Sequence, residues 1–286
     1  MNYQHAFHAG NFADVHKHVV LTRILEYLRE KPAAFRVIDS HAGAGRYDLF
    51  GPEAARSGEW RSGIERVFAK PFATSQAGAR ADALIKPYLD AVAALNAGGE
   101  LRLYPGSPLI AKARLRAGDR LIACEIAPGP AAALKSALRA DPRAKVLAID
   151  GWTAIKANVP PKERRGLVLI DPPYEDAADF ARLTAALGEA HRKWPTGIYL
   201  FWYPIKERDA PDALARRLRR LGVPKILRSE ITLMPSRAAS GLSGSGLIAV
   251  NPPYPLGQEL HILLPPLIRA FSPHATHRID WLAGEP

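Results

Sequence analysis

The stretch Gly166-Leu-Val-Leu-Ile170, followed at once by Asp171-Pro-Pro-Tyr174, decides how the chain is read. A short, wholly apolar run closed by prolines has the pattern of a strand buried on both faces, as in a parallel sheet. An acid, two prolines and an aromatic directly after it make a stiff, open loop, because each proline fixes φ and lacks an N–H. Ligands of open α/β sheets bind beyond the carboxyl ends of the strands. The residues just after each strand are therefore where chemistry is expected.

Working outward, strand and helix patterns alternate. Ala13 to Glu30 reads as a helix with Val20, Ile24 and Leu28 at four-residue spacing, capped by Asn11 or Asp14. Strands are expected at 35–39, 120–126, 145–149, 166–170, 198–202, 226–233 and 247–250. Helices are expected at 107–115, 130–140, after Trp152, and at 177–194 and 211–221. This alternation predicts a parallel sheet with helices on both faces. From Phe50 to Leu103 it breaks into glycines and polar residues around a helical stretch with Leu84, Tyr88, Val92 and Leu95, which Pro87 either starts or kinks. Residues 51–103 are read as a helical insertion within a single domain spanning 1–286. Gly241-Leu-Ser-Gly-Ser-Gly246 reads as a flexible hairpin loop.

The four strand ends form a series. After the first come His41-Ala-Gly-Ala-Gly45, whose glycines permit a tight turn and close backbone approach, although position 48 is Asp and the full dinucleotide fingerprint is missing. The second ends at Glu125, an acid suited to both hydroxyls of a ribose. The third ends at Asp150-Gly151-Trp152, an acid for an adenine amine beside a glycine that leaves room for the ring. The fourth ends at Asp171. Taken together, the series is the order used by methyltransferases that take S-adenosylmethionine.

The fourth loop suits an exocyclic amine. Such a nitrogen is conjugated with its ring and is a poor nucleophile. The Asp171 carboxylate and the Pro172 carbonyl can accept its two N–H bonds and turn its lone pair outward, while Tyr174 stacks on the base. Catalysis by positioning follows, with Asp171 available for the released proton. Asn251-Pro-Pro-Tyr254 has a similar composition but follows the last strand candidate, so its position favours Asp171 as the functional loop.

Composition narrows the partners. The 286 residues carry a net charge of +11, which suits a polyanion such as nucleic acid. One cysteine, Cys124, excludes an intrachain disulfide and a cysteine-based zinc site, and its apolar strand context suggests a small buried hydrophobe. His5, His8, His16 and His18 lack converging metal-ligand spacing, so no metal is expected. No run reaches membrane-spanning length and no signal-peptide layout opens the chain, so a cytoplasmic protein without membrane association is expected.

The opening Tyr3-Gln-His-Ala-Phe-His-Ala-Gly-Asn11 and Ala13-Asp-Val-His-Lys-His18 resemble the RlmJ-type 23S rRNA adenine-N6 methyltransferases. So do Ser40-His-Ala-Gly-Ala-Gly-Arg-Tyr47, Tyr104-Pro-Gly-Ser-Pro-Leu-Ile110, 164–174 and Trp202-Tyr-Pro204. The resemblance runs nearly end to end and implies a Rossmann-like class I methyltransferase fold with a small helical insertion after the first strand. It implies cofactor contacts from His18, His41, Ser107, Glu125, Asp150, Gly151 and Asp171, with Lys17 nearby. It further implies that Tyr3 and Lys17 serve the target RNA. Catalysis then falls to Asp171, Pro172 and Tyr174. The expected protein is a monomer acting on naked or incompletely assembled 23S rRNA. A DNA adenine-N6 methyltransferase and a non-catalytic RNA-binding assembly protein are the alternatives. The first would ordinarily carry a dedicated target-reading module, and the second would not need all four strand ends.

Overall fold

The computed structural model describes residues 4–73, 75–176, 178–233 and 241–284. A 3-10 turn (His5–Phe7) leads into α1 (Phe12–Glu30), whose cap is Asn11: its side chain accepts the Asp14 N–H at 2.9 Å. β1 (Arg36–Asp39) and β2 (Arg46–Asp48) follow. Then come α2 (Pro52–Ser57), two 3-10 turns, α3 (Gln76–Ala93) and β3 (Leu103–Pro105), which pairs antiparallel with β2. Pro87 lies inside α3 rather than at its start.

Regular alternation then resumes with α4 (Ser107–Arg114), β4 (Arg120–Cys124), α5 (Pro128–Ala137), β5 (Ala144–Leu147), α6 (Gly151–Asn158) and β6 (Gly166–Ile170). It continues through α7 (Asp179–Lys193), β7 (Ile198–Ile205), α8 (Asp209–Arg220) and β8 (Ile226–Thr232). The chain finishes with β9 (Gly244–Val250), α9 (Leu256–Phe271) and β10 (Thr276–Ala283).

The main sheet has the order β10-β8-β9-β7-β6-β1-β4-β5. Its five strands from β7 to β5 are parallel, and β6 is buried at every residue, as its apolar run requires. Side chains alternate between two cores: Val37, Leu167 and Leu169 pack with α1, α4 and α9, whereas Ile38, Val168 and Ile170 pack with α7 and α8.

Two expectations need correction. The sheet is mixed: β9 runs antiparallel to β7, and β8 and β10 extend that antiparallel arrangement. Within the stretch read as a flexible loop, Gly244 to Gly246 belong to β9 and are buried. The glycine at 246 answers to packing, since a Cβ there would lie 2.1 Å from the Tyr203 ring. Residues 234–240 are outside the described set. No helix among the described residues is long and apolar enough to cross a membrane.

Candidate active site

The carboxyl ends of β1, β4, β5 and β6 open on one cavity of about 680 Å³. Below its wall, the Ser40 hydroxyl donates to the Leu169 carbonyl at 2.9 Å and lies 2.8 Å from His41 Nδ1. A hydroxyl has one proton, so His41 Nδ1–H is the donor in the second bond and Nε2 is left as an acceptor. Burial lowers the His41 pKa despite the opposing charges of Asp171 and Asp150, which keeps the ring neutral at pH 7. Gly151 lies against this ring: a Cβ there would come 2.4 Å from the Ser40 carbonyl oxygen and 2.6 Å from His41 Cε1.

Backbone amides hold Glu125, with Gly43 N–H donating to Oε2 at 3.0 Å and Ala127 N–H to Oε1 at 2.8 Å. Each oxygen keeps a lone pair for a hydroxyl. Asp150 caps α6 through Oδ2, which accepts from Thr153 N and Oγ1 at 2.8 and 3.0 Å, and Oδ1 remains for a ligand. Ser107, the first residue of α4, is buried and lines the same cavity.

Two further groups beside this cavity are buried and unsatisfied. The Tyr104 hydroxyl lies 2.8 Å from His18 Nδ1, but Nε2 has no hydrogen-bond partner. Neither carboxyl oxygen of Asp39, at the end of β1, completes a hydrogen bond, although Ser107 and the His41 backbone approach it. Burial pushes the Asp39 pKa up to about 7 against the nearby Lys17 charge. Buried polar atoms without partners are uncommon and call for an explanation.

Asp171 stands where this cavity meets a second one of about 530 Å³. Lys17 Nζ lies 2.5 Å from Asp171 Oδ2 and 2.7 Å from Asp14 Oδ1, and its side chain is only 4% exposed. Burial works to lower the Lys17 pKa, but the two carboxylates outweigh it and hold the ammonium well above the ordinary lysine value. Asp14 is held well below the carboxylate range despite its own burial, by His5, Lys17 and His18. Asp14 also accepts the Gly10 N–H at 3.0 Å and bonds His5 Nε2 at 2.9 Å.

Pro172 lines the first cavity, whereas Tyr174 lines only the second, where its neighbours include Trp202, Phe12 and Leu242. The Tyr174 hydroxyl donates to the Trp202 carbonyl at 2.5 Å, and its ring meets Trp202 edge-on at 5.8 Å. Burial raises the phenol pKa well above its usual value, so it is neutral.

The structure brings His18, His41, Ser107, Glu125, Asp150, Gly151, Asp171, Pro172 and Lys17 to the first cavity. It puts Tyr174 in the second cavity. Tyr3 lies outside the described residues. Asn251 is at the other end of the sheet, where its side-chain amide donates to the carbonyls of Pro195 and Gly197 at 2.7 and 2.8 Å. No group of three histidine, cysteine or acidic side chains among the described residues could hold a metal. Asp14 and Asp39 are additions to the sequence reading. An acid three residues before Lys17 on a helix was the available signal for the first, and an acid closing the first strand was the signal for the second.

A family model described as ribosomal RNA large subunit methyltransferase D, RlmJ, matches residues 32–283. The chain belongs to the RlmJ family. It is 39% identical over 289 residues to ribosomal RNA large subunit methyltransferase J of Escherichia coli K12, with 100% of both chains covered. Identity to the protein of the same name from Haemophilus influenzae is 38% over 288 residues, again covering 100% of both. A crystal structure of a Legionella pneumophila protein superposes with a TM-score of 0.85 at 33% identity, covering 96% of this chain and 98% of that one. The RlmJ family and the mixed sheet agree on a class I methyltransferase fold.

Proposed function

We propose that this chain transfers a methyl group from S-adenosylmethionine to the exocyclic N6 of an adenine in 23S rRNA. The observation that carries the reading is Asp171 at the junction of two cavities, with its carboxylate fixed by buried Lys17. The larger cavity has the donor set of a nucleoside-bearing amino acid. Glu125 would hold the ribose hydroxyls, Asp150 the adenine amine, and Gly151 the face of the ring. His18 Nε2 and the Asp39 carboxyl, both buried without partners, would take the carboxylate and ammonium of the amino-acid tail. When bound, the cofactor supplies an activated sulfonium methyl.

The smaller cavity would receive the target base, extruded from its stack at a cost of a few kcal/mol or already unpaired in a loop. Tyr174 and Trp202 offer aromatic surface for it. Asp171 accepts one amine N–H and the Pro172 carbonyl the other, which frees the nitrogen lone pair. Lys17 keeps the Asp171 carboxylate aimed while the nitrogen reacts, and Asp171 then takes the proton the product amine sheds. Pre-aligned groups of this kind act by orientation.

The reading extends to a monomeric cytoplasmic enzyme of one methyltransferase domain, with 51–103 as a helical insertion subdomain. Its substrate would be naked or partly assembled 23S rRNA, recognised with help from the +11 charge and from Tyr3 and Lys17. Labelled methyl transfer from S-adenosylmethionine to deproteinised 23S rRNA and to duplex DNA tests it. Labelling of rRNA is expected. Labelling of DNA alone would identify a DNA enzyme, and labelling of neither a binding protein.

A further inference from the structure

His16 borders neither cavity. It is fully buried, and burial lowers its pKa to about 3, so the ring is neutral across the physiological range. A neutral imidazole has one N–H and one lone pair, and a buried ring needs both satisfied. Nδ1 lies 3.1 Å from Ser245 Oγ and Nε2 lies 3.0 Å from Ser229 Oγ. These serines stand on the adjacent strands β9 and β8. Ser245 Oγ also accepts the Trp202 indole N–H at 3.0 Å.

Trp202 in turn supports the end of the Asp171-Pro-Pro-Tyr174 loop, through its carbonyl and its ring. That support matters because Tyr174 has φ of +52°, a left-handed conformation that a bulky residue keeps only when its surroundings impose it. Successive residues of a helix point about 100° apart. On α1, therefore, Lys17 reaches Asp171 while His16 reaches the antiparallel strands.

We propose that His16 is a positioning residue for the methyl-transfer reaction: through Ser245 it fixes the Trp202 indole, and through Trp202 the Tyr174 end of the loop. The reaction loop is thus gripped from both ends by consecutive residues of one helix. One direction of donation links all four side chains. The Trp202 indole donates to Ser245, the Ser245 hydroxyl donates to His16 Nδ1, and His16 Nε2–H donates to Ser229. Ser229 anchors the histidine, whereas Ser245 transmits its position to the base cavity.

The inference rests on the proposed adenine methylation, and its test separates the two. Ser245→Ala removes the transmitting hydroxyl, Ser229→Ala the anchor, His16→Phe both contacts, and His16→Gln leaves an amide able to restore one. For each variant, kcat and KM on an rRNA fragment are measured with the affinity for S-adenosylhomocysteine. The Trp202 indole N–H resonance, assigned with Trp202→Phe, is recorded alongside. Ser245→Ala and His16→Phe are expected to lower kcat roughly 10- to 100-fold, the scale of a misplaced reacting group, while cofactor affinity stays within about twofold. The indole resonance moves in both, Ser229→Ala loses less, and His16→Gln recovers part of the rate.

A folded Ser245→Ala with unchanged kcat overturns the proposal, and so does an unmoved indole resonance. Equal losses of rate and cofactor affinity, or equal damage from Ser229→Ala, would make His16 a packing residue only. Should His16→Phe not fold, Ser245→Ala alone decides. Absence of methylation by the unsubstituted protein would count against the reaction itself, and the indole resonance then judges the hydrogen-bonded chain separately.

Discussion

Replacing Lys17 with methionine should be among the most damaging single changes in this chain. Methionine keeps the length and apolar stem and deletes the charge. The side chain is 4% exposed, and its ammonium bridges Asp14, 3% exposed, and Asp171, 14% exposed, at 2.7 and 2.5 Å. Breaking a buried pair strands the other charge and costs about 3–5 kcal/mol, a large share of a typical total stability of roughly 5–15 kcal/mol. At about 2–4 °C per kcal/mol for large domains, the expected drop in Tm is on the order of 10 °C. The pH dependence follows from the directions of the shifts. The Lys17 pKa is raised, so its stabilisation is complete below about pH 10 and lost only in stronger alkali. Asp14 is lowered, so its contribution is present above about pH 4 and lost in acid. The wild-type pair is therefore constant between pH 5 and 9. In the variant Asp14 loses its cation and binds a proton more readily, so the gap in Tm should narrow as pH falls from 8 to 5. Adding Asp14→Asn should recover part of the stability and none of the turnover. Thermal denaturation by circular dichroism at several pH values measures both effects. A Tm within 2 °C of wild type, or a gap that ignores pH, refutes the reasoning.

Asp39→Asn should raise the Tm of ligand-free protein at pH 8 and raise it less at pH 5. A carboxyl whose folded pKa is raised to about 7 loses stability as pH climbs from about 4 through 7, and asparagine removes that loss. The same change should weaken S-adenosylhomocysteine binding by calorimetry; unchanged affinity would remove Asp39 from the cofactor site. Gly151→Ala should cut that affinity at least tenfold, because its Cβ would lie 2.4 Å from the Ser40 carbonyl and force the His41 loop to move. Cys124 is buried, and its pKa is pushed up to about 12 by burial, so a thiol reagent at pH 8 should label it only after unfolding. Rapid labelling of the native protein would contradict that environment.

The legible parts of the molecule were those where one local pattern decides one structure. The apolar run 166–170 is buried on both faces because it lies inside the parallel sheet, and Gly43, Glu125, Asp150, Gly151 and Asp171, each just after a strand, line the larger cavity, whereas Gly45 packs against Leu134. β10 was missed because it is an edge strand whose sequence Thr276-His-Arg-Ile-Asp280 is largely polar and partly exposed, so it carries no apolar run. Gly244 and Gly246 read as loop because glycine signals freedom in sequence. In the fold they signal the close approach of the Ile231 backbone and the Tyr203 ring. Asn251 and Asp171 share a motif but differ in their place in the strand order, and they sit at opposite ends of the sheet because β9 runs antiparallel to β7. The partners of Lys17 illustrate the remaining limit: Asp14 is three residues away and visible to helix geometry, but Asp171 is 154 residues away and only the tertiary fold joins them.

The most direct measurement digests the labelled product RNA to nucleosides after reaction with wild type, Asp171→Ala and Asn251→Ala. Wild type and Asn251→Ala should yield N6-methyladenosine, and Asp171→Ala should yield none while remaining folded. A methyl on another atom, or loss of product in Asn251→Ala but not in Asp171→Ala, would contradict an amine held by the Asp171 loop.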